Sequence, residues 1–363
     1  MNLRTTHPRA LHQWVSALFT AAGSSALEAK LTADHLVLSN LSGHDSHGVG
    51  MVPRYVKAIM ADELVLNQTV DVVADAGSII NIDAKHGIGQ HVTFQAMNIA
   101  IARAKETGVC IMGLRNSHHL GRVGHWAEQA VDAGLCSIHF TNAVSNWWVA
   151  PYGGAEGRFV TNPFTVGIPR AGEPPIIVDF ATSTIAQGKV RVAYNAQKQT
   201  PDGALIDSKG RPTTDPAVLF EPDGDGRIGA LTTMAAHKGY ALAVVCELLG
   251  AALTGGSVTV PGQTPKAGVW NNMFTIVFDP NRLGTADAFT SQTREFIDWV
   301  KSARLAEGVE AILMPGDPER AARIARAQGI EIDEGTITEM DEAAITINAK
   351  FGAKLGALSA LMV

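Results

Sequence analysis

Apolar residues recur at three- and four-residue intervals through residues 1–75, the spacing that gathers them on one face of a helix. Leu11, Val15, Leu18 and Phe19 form one such stripe. Ser25-Ala26-Leu27-Glu28 has capping-box spacing, in which the serine hydroxyl and the glutamate carboxylate each satisfy a free backbone N–H. The helix it opens carries Leu27, Leu31, Val37, Leu38 and Leu41 and ends near Ser42-Gly43; another is expected over 53–61. Beyond this the pattern becomes mixed. Strands are expected at 69–74, 78–82, 109–114, 136–141, 159–168, 176–180, 273–278 and 309–314. Helices are expected at 91–107, 123–133, 185–192, 239–253, 290–303, 317–327 and 339–349. Ile206-Asp207-Ser208-Lys209-Gly210 reads as a hairpin turn, with glycine supplying the positive φ.

The chain is therefore expected to be a mixed α/β protein. Residues 1–75 would form a helical part packed with residues 320–363, residues 76–115 a linking α/β segment, and residues 116–319 the larger domain. Repeats and low-complexity segments are absent.

Composition narrows the function. With 46% hydrophobic and 18% charged residues the chain has enough apolar material for a large core. A net charge of -6, without a long basic run, argues against a nucleic-acid partner. Cys110, Cys136 and Cys246 each sit in an apolar stretch and form no CxxC, as expected of buried free thiols in a reducing compartment. The apolar run 14–22 reads as an amphipathic helix rather than a leader, and 239–255, interrupted by Glu247, is short for a membrane span. A cytoplasmic protein without a membrane partner is expected.

Four polar clusters interrupt the apolar pattern. Gly43-His44-Asp45-Ser46-His47-Gly48 lies between helices. Histidine titrates near neutrality, so His47 or His44 suits proton exchange with an alcohol or ketone. The same residues could ligate a metal in a hydrolase using His44, Asp45 and His47, or simply end a helix. Asn116-Ser117-His118-His119-Leu120-Gly121-Arg122-Val123-Gly124 follows a strand and opens a helix, where unpaired N–H groups and an arginine fork suit an anion. Asp179 ends an apolar strand, placed to orient a histidine or bind a ribose hydroxyl, with a helix cap at Thr182 or Ser183 as the plain alternative. Lys238, after His237, opens an apolar helix against the helix dipole, which favours a ligand role. Asp317-Pro318 reads as an N-cap followed by proline at N1. The G-x-G-x-x-G of a Rossmann domain is absent, as are a P-loop, a G-x-S-x-G elbow and H-E-x-x-H.

Taken together, GHDSHG (43–48), NSHHLGRVGHWAEQ (116–129), TNPF (161–164), VDFATS (178–183), GKVRVA (188–193), HKGYALA (237–243), WNNM (270–273) and PGDPE (315–319) resemble the malate/L-lactate dehydrogenase family of type 2, and in detail its hydroxycarboxylate dehydrogenase B branch. The resemblance implies a non-Rossmann, L-sulfolactate dehydrogenase-like fold with a largely antiparallel nicotinamide-binding sheet, a homodimer, and hydride exchange between NAD(P) and a small 2-hydroxy or 2-keto acid. It implies His47 as proton donor and acceptor, His119 beside the substrate, and Ser46 and Asp179 as their orienting partners. Cofactor contacts would map to Gly121, Arg122 and Val123; to Ile177, Val178, Asp179, Phe180, Ala181, Thr182 and Ser183; to His237, Lys238 and Asn271; and to Gly316, Asp317, Pro318 and Glu319. No metal is implied. Many members carry arginine where this chain has Met51, so the substrate-carboxylate anchor is open, with Arg54, Arg122 and Lys189 as candidates. The same resemblance admits a cyclic imino-acid reductase. NAD is favoured over NADP because no arginine pair stands beside the expected ribose-binding segments.

Overall fold

The computed structural model describes residues 3–363. In chain order its elements are β1 (Leu3–Thr6), α1 (Pro8–Ala21), α2 (Ala26–Leu41), α3 (Val52–Met60), β2 (Asp71–Asp75), β3 (Ile79–Asp83), α4 (Gly89–Thr107), β4 (Val109–His118), α5 (Gly124–Asp132), β5 (Cys136–Val144), β6 (Phe164–Ile168) and β7 (Ile176–Phe180). They continue with α6 (Gln187–Asn195), β8 (Leu205–Ile206), β9 (Pro212–Thr213), β10 (Ala230–Leu231), α7 (His237–Glu247), β11 (Trp270–Phe278), α8 (Ala286–Lys301), α9 (Asp317–Ala325), β12 (Ile330–Asp333) and α10 (Glu334–Phe351).

One core joins the two ends of the chain. Leu11, Trp14, Leu18, Phe19, Leu36 and Tyr55 from α1–α3 pack with Met340, Ala344 and Ile347 of α10. The short strands β1 and β12 pair antiparallel beside them. Ser25 caps α2 as the pattern implies, its hydroxyl accepting from Glu28 N–H at 3.2 Å. The reciprocal half of the box does not form. Glu28 is buried and its carboxylate accepts Asn67 N–H instead, while Asn67 Oδ1 takes Ser25 N–H.

A seven-stranded sheet in the order β2-β3-β4-β11-β5-β6-β7 is the scaffold for the polar clusters. Every neighbouring pair is antiparallel except β3–β4. Residues 76–115, read as a link, supply two of its strands. Ile80, Ile82, Met97, Met112, Leu114, Trp126 and Met273 fill a second core where α4 and α5 cover the sheet. The small sheet β10-β8-β9 packs around Val149, Leu205, Leu219 and Leu231.

Four local expectations change. Residues 309–314 form no strand: Val309 and Leu313 are exposed, and β7 reaches only the following residue, Ile177 N–H donating to Pro315 O at 3.2 Å. The strand expected at 159–168 starts at Phe164, with Phe159 making a single bridge to Val149. The helix expected over 239–253 is α7 followed by a π-helical turn, Leu248–Ala252, and α8 begins four residues earlier than expected.

Candidate active site

The histidine loop hangs between α2 and α3 and is tied at both ends. Asn40 donates to Asp45 Oδ1 at 2.7 Å and accepts Val49 N–H at 2.8 Å. A β-carbon at Gly48 would lie 2.2 Å from Asn40 Oδ1, so only glycine fits there. Helix α9 holds the loop from outside. Glu319 meets His44 Nε2 at 3.0 Å, Arg323 donates to Ser42 Oγ at 2.8 Å, and Arg326 donates to Asp45 and to Asn40 O.

The second cluster sits where β4 leaves the sheet. A bulge between Asn271 and Met273 on β11 and a positive φ at Asn116 shift the register. The turn beyond is pinned by Leu120 N–H to Asn271 Oδ1 at 2.9 Å and Arg122 N–H to His35 Nε2 at 2.9 Å. Gly121 has φ +74°, and a β-carbon there would fall 2.2 Å from that same His35 nitrogen.

These two loops bring His47 and His119 together, their rings stacked at 5.5 Å between centroids and 22° between planes. Ser46 Oγ lies 3.0 Å from His47 Nδ1. His119 Nδ1 lies 2.7 Å from the Tyr55 hydroxyl, which accepts from Gln90 Nε2 at 2.9 Å. Gln90 Nε2 also faces His119 O at 3.4 Å, which fixes its nitrogen end inward. The phenol hydrogen can then go to His119 Nδ1 at 2.7 Å or to His119 O at 3.5 Å; the much shorter contact favours Nδ1, which leaves the neutral ring's own proton on Nε2. Burial pushes His119 well below its usual pKa. It pushes His47 down to about 4, against the opposing pull of the Asp179 carboxylate. Both rings are neutral at pH 7.

Asp179 belongs to the same corner. Its Oδ2 accepts Gly124 N–H, the first of α5, at 2.8 Å, and its Oδ1 accepts from Thr165 at 3.0 Å. Beside it is Arg122, 2% exposed, paired through Nη2 with Glu128, while its Nε and Nη1 have no partner. Glu128 also pairs with Arg323 of α9.

The remaining expected contacts divide. Ile177, Val178 and Phe180 lie on the outer strand β7, Val123 immediately precedes α5, and Pro318 lies in the first turn of α9. A cavity of about 370 Å³ runs along Ile177, His125, Glu128, Gly316, Glu319 and Arg323. Ala181, Thr182 and Ser183 turn away from β7; Thr182 spends its hydroxyl on Thr161 O and Asn162 O, and Ser183 on Ile185 O. His237 and Lys238 are exposed, brought to this turn by Met234 N–H donating to Thr182 O at 2.9 Å, and no recorded contact joins them to the histidine pair. Asn271 is a strut: its amide nitrogen is spent on Asn142 O and its oxygen on Leu120. Gly316, not Asp317, caps α9, and the Asp317 carboxylate turns back to Met314 N–H, Arg320 and Lys301. Arginines do flank the cavity, contrary to the sequence reading, but Arg320 is paired with Asp317 and Arg323 with Glu128. His44, Asp45 and His47 each have a different partner, and among the described residues no three histidine, cysteine or carboxylate side chains are grouped to hold a metal.

A profile of the malate/L-lactate dehydrogenase family matches residues 6–341. The chain belongs to the malate/L-lactate dehydrogenase family. It is an oxidoreductase acting on 2-hydroxy acids, and such a dehydrogenase implies a nicotinamide cofactor. It is 43% identical over 337 residues to hydroxycarboxylate dehydrogenase B of Escherichia coli (strain K12), covering 92% of each chain. The sulfolactate dehydrogenase structure from Methanocaldococcus jannaschii superposes with a TM-score of 0.85 at 30% identity, over 97% of this chain and 98% of that one. A delta(1)-pyrroline-2-carboxylate/delta(1)-piperideine-2-carboxylate reductase of Pseudomonas syringae pv. tomato is 33% identical over 337 residues, covering 90% of this chain and 92% of its own. These likenesses bear out the mixed α/β, mostly antiparallel architecture expected of this family. No helix among the described residues is long and apolar enough to cross a membrane.

Tyr55, Gln90, His35, Glu128 and Arg323 were missed by the sequence reading; the first four each touch an expected residue, and Arg323 joins the site through Glu128. His35 alone carried a signal, a histidine amid an apolar helix.

Proposed function

We propose that His47 exchanges the hydroxyl proton of a 2-hydroxy acid while hydride passes to or from NAD, and that His119 hydrogen-bonds the reacting oxygen. The stacked His47–His119 pair carries this reading. Tyr55 leaves His119 with a proton on Nε2, suited to a carbonyl or alkoxide oxygen. His47 is neutral at rest, able to accept a proton, and the nearby Asp179 carboxylate stabilises the imidazolium that results. Ser46 sets the ring through Nδ1. In the reducing direction the same proton returns to the substrate oxygen.

The residues fit a nicotinamide cofactor. The unpartnered, buried Nε and Nη1 of Arg122 are donors in want of acceptors, and the cavity along Ile177, Gly316 and Glu319 is lined by Glu128, the partner of Arg122. When bound, the nicotinamide supplies or takes the hydride at C4. Arg122, the β7 segment 177–180 and Gly316–Glu319 would hold it. Arg320 and Arg323 are each engaged in an ion pair, with Asp317 and with the Glu128 that Arg122 shares, so neither offers a free fork to a 2′-phosphate, which supports NAD over NADP.

The enzyme works as a homodimer in the cytoplasm. Support for the dimer is the outward apolar face of α7 and the turn after it, Val245, Leu248 and Leu253. Support for the compartment is that Cys110, Cys136 and Cys246 are free and buried.

The test is a panel of pyruvate, oxaloacetate, phenylpyruvate and cyclic imino acids with both reduced cofactors, followed by His47→Ala and His119→Ala. His47→Ala is expected to lower kcat by ~10²–10⁴ while cofactor affinity stays near wild type. If His119→Ala abolishes turnover and His47→Ala does not, the proton belongs to His119.

A further inference from the structure

We infer that Arg54 is the substrate-carboxylate anchor, taking the place left by Met51. This rests on the hydroxy-acid reading of the site.

Arg54 lies on α3, next to Tyr55, whose hydroxyl reaches His119 Nδ1. The same helix therefore positions the guanidinium and the ring that faces the reacting oxygen. Residues 51 and 54 are three apart, so their side chains project from neighbouring positions on one face of the chain as it enters the helix. The charge of Arg54 is felt at both His118 and His119, where it helps to hold the rings neutral.

Arg54 is held but not neutralised. Its Nη2 donates to Ser145 Oγ at 2.8 Å and to Gly268 O at 3.0 Å. Its Nε and Nη1 make no hydrogen bond, and no Asp or Glu comes within ion-pair distance among the described residues. Burial accordingly lowers its pKa. A half-buried guanidinium is costly without a counter-charge, and one bonded to Gly268 O, where a β-carbon would lie 2.8 Å from His118 Nε2, and adjoining His119 is matched by an anion from outside. A 2-keto or 2-hydroxy carboxylate brings that anion, one bond from the reacting carbon.

The other two candidates serve less well. Arg122 is paired with Glu128 and has Asp179 beside it, and its free donors are taken by the cofactor in the reading above. Lys189 is exposed on α6, and although the adjacent Gly188 approaches Ser46, its ammonium makes no hydrogen bond or ion pair among the described residues.

The anchor is tested by Arg54→Met and Arg54→Lys, with Arg122→Met in parallel. Oxamate serves as a non-reacting keto-acid probe, titrated into the enzyme with saturating reduced cofactor. Arg54→Met is expected to weaken oxamate by roughly 10- to 200-fold and to raise KM for the reduced keto acid by a similar factor, with kcat changed less than KM and cofactor Kd unaltered. Arg54→Lys keeps the charge but not the fork, so an intermediate loss is expected. It decides the matter if the methionine variant does not fold. Oxamate affinity within twofold of wild type in whichever of these variants folds would overturn the assignment. So would a greater loss in Arg122→Met than in Arg54→Met. Oxamate binding requires no turnover. A wild type that binds oxamate through Arg54 but reduces no keto acid would refute the reaction and leave the anchor standing.

Discussion

Replacing Tyr55 by phenylalanine removes one oxygen from the floor of the site and separates orientation from proton transfer. Tyr55 is fully buried, and its ring packs within the core shared by α1–α3 and α10. Phenylalanine keeps that packing. What is lost is the acceptor for Gln90 Nε2 and the donor to His119 Nδ1. His119 Nδ1 is then unpaired in a dry interior and Gln90 Nε2 keeps only the long contact to His119 O at 3.4 Å, so one full and one partial loss, roughly 1–4 kcal/mol in denaturant-derived stability, are expected. His119 also loses the hydrogen bond that fixes its tautomer. If half to all of one such bond serves to aim Nε2, turnover falls by about 10- to 100-fold. The direction of the pH effect follows from the hydrogen bond. The phenol donates to the neutral ring, so its removal raises the pKa of His119, although burial, the largest cause of the depression, remains. The acid limb of the kcat/KM profile is expected to move upward, with cofactor Kd unchanged. A variant that loses stability but keeps wild-type kcat and an unshifted profile would show that Tyr55 is packing alone, and the tautomer argument would fall.

Acid stability gives a second expectation. His35, His118, His119 and His139 are buried and held neutral, with His118 and His139 at about 3 and the others well below the usual value. Their folded pKa values lie below the unfolded one, so the unfolded chain binds more protons beneath pH 6.5. Stability is complete above that pH and falls as pH drops, by about 1 kcal/mol per histidine per unit, or roughly 4 kcal/mol between pH 6.5 and 5.5. Urea unfolding at the two pH values checks this; equal midpoints would mean these rings are hydrated. Gly121→Ala is expected to destabilise by about 2–4 kcal/mol, because it combines a positive φ with a contact 2.2 Å from His35 Nε2, and to weaken cofactor binding by displacing Arg122. Thermal melts and cofactor titration read both effects, and a neutral substitution would show that the turn yields freely.

How much of this was legible in the chain depends on what each residue spends its polar atoms on. His47, His119 and Asp179 stand out because polar side chains crowd short loops between apolar segments, and the structure gathers them in one corner. Tyr55 does not stand out, because it occupies a core position on α3 and its hydroxyl is satisfied only by residues 35 and 64 places away. Glu128 and Arg323 likewise read as a solvated helix face until α9 is laid over the histidine loop. The same limit governs the strands. The sequence pattern marks 273–278 as a strand, but nothing local inserts it between β4 and β5, more than a hundred residues earlier. It marks 309–314 as well, where the required ladder neighbour never arrives. A hydrophobic pattern reports that a position will be buried. It does not report which distant donor meets which acceptor there. On the proposed reading that pairing decides the function: Tyr55 and Gln90 leave His119 with a proton to give, and Arg54, with no carboxylate in ion-pair reach among the described residues, keeps a charge for the substrate to meet.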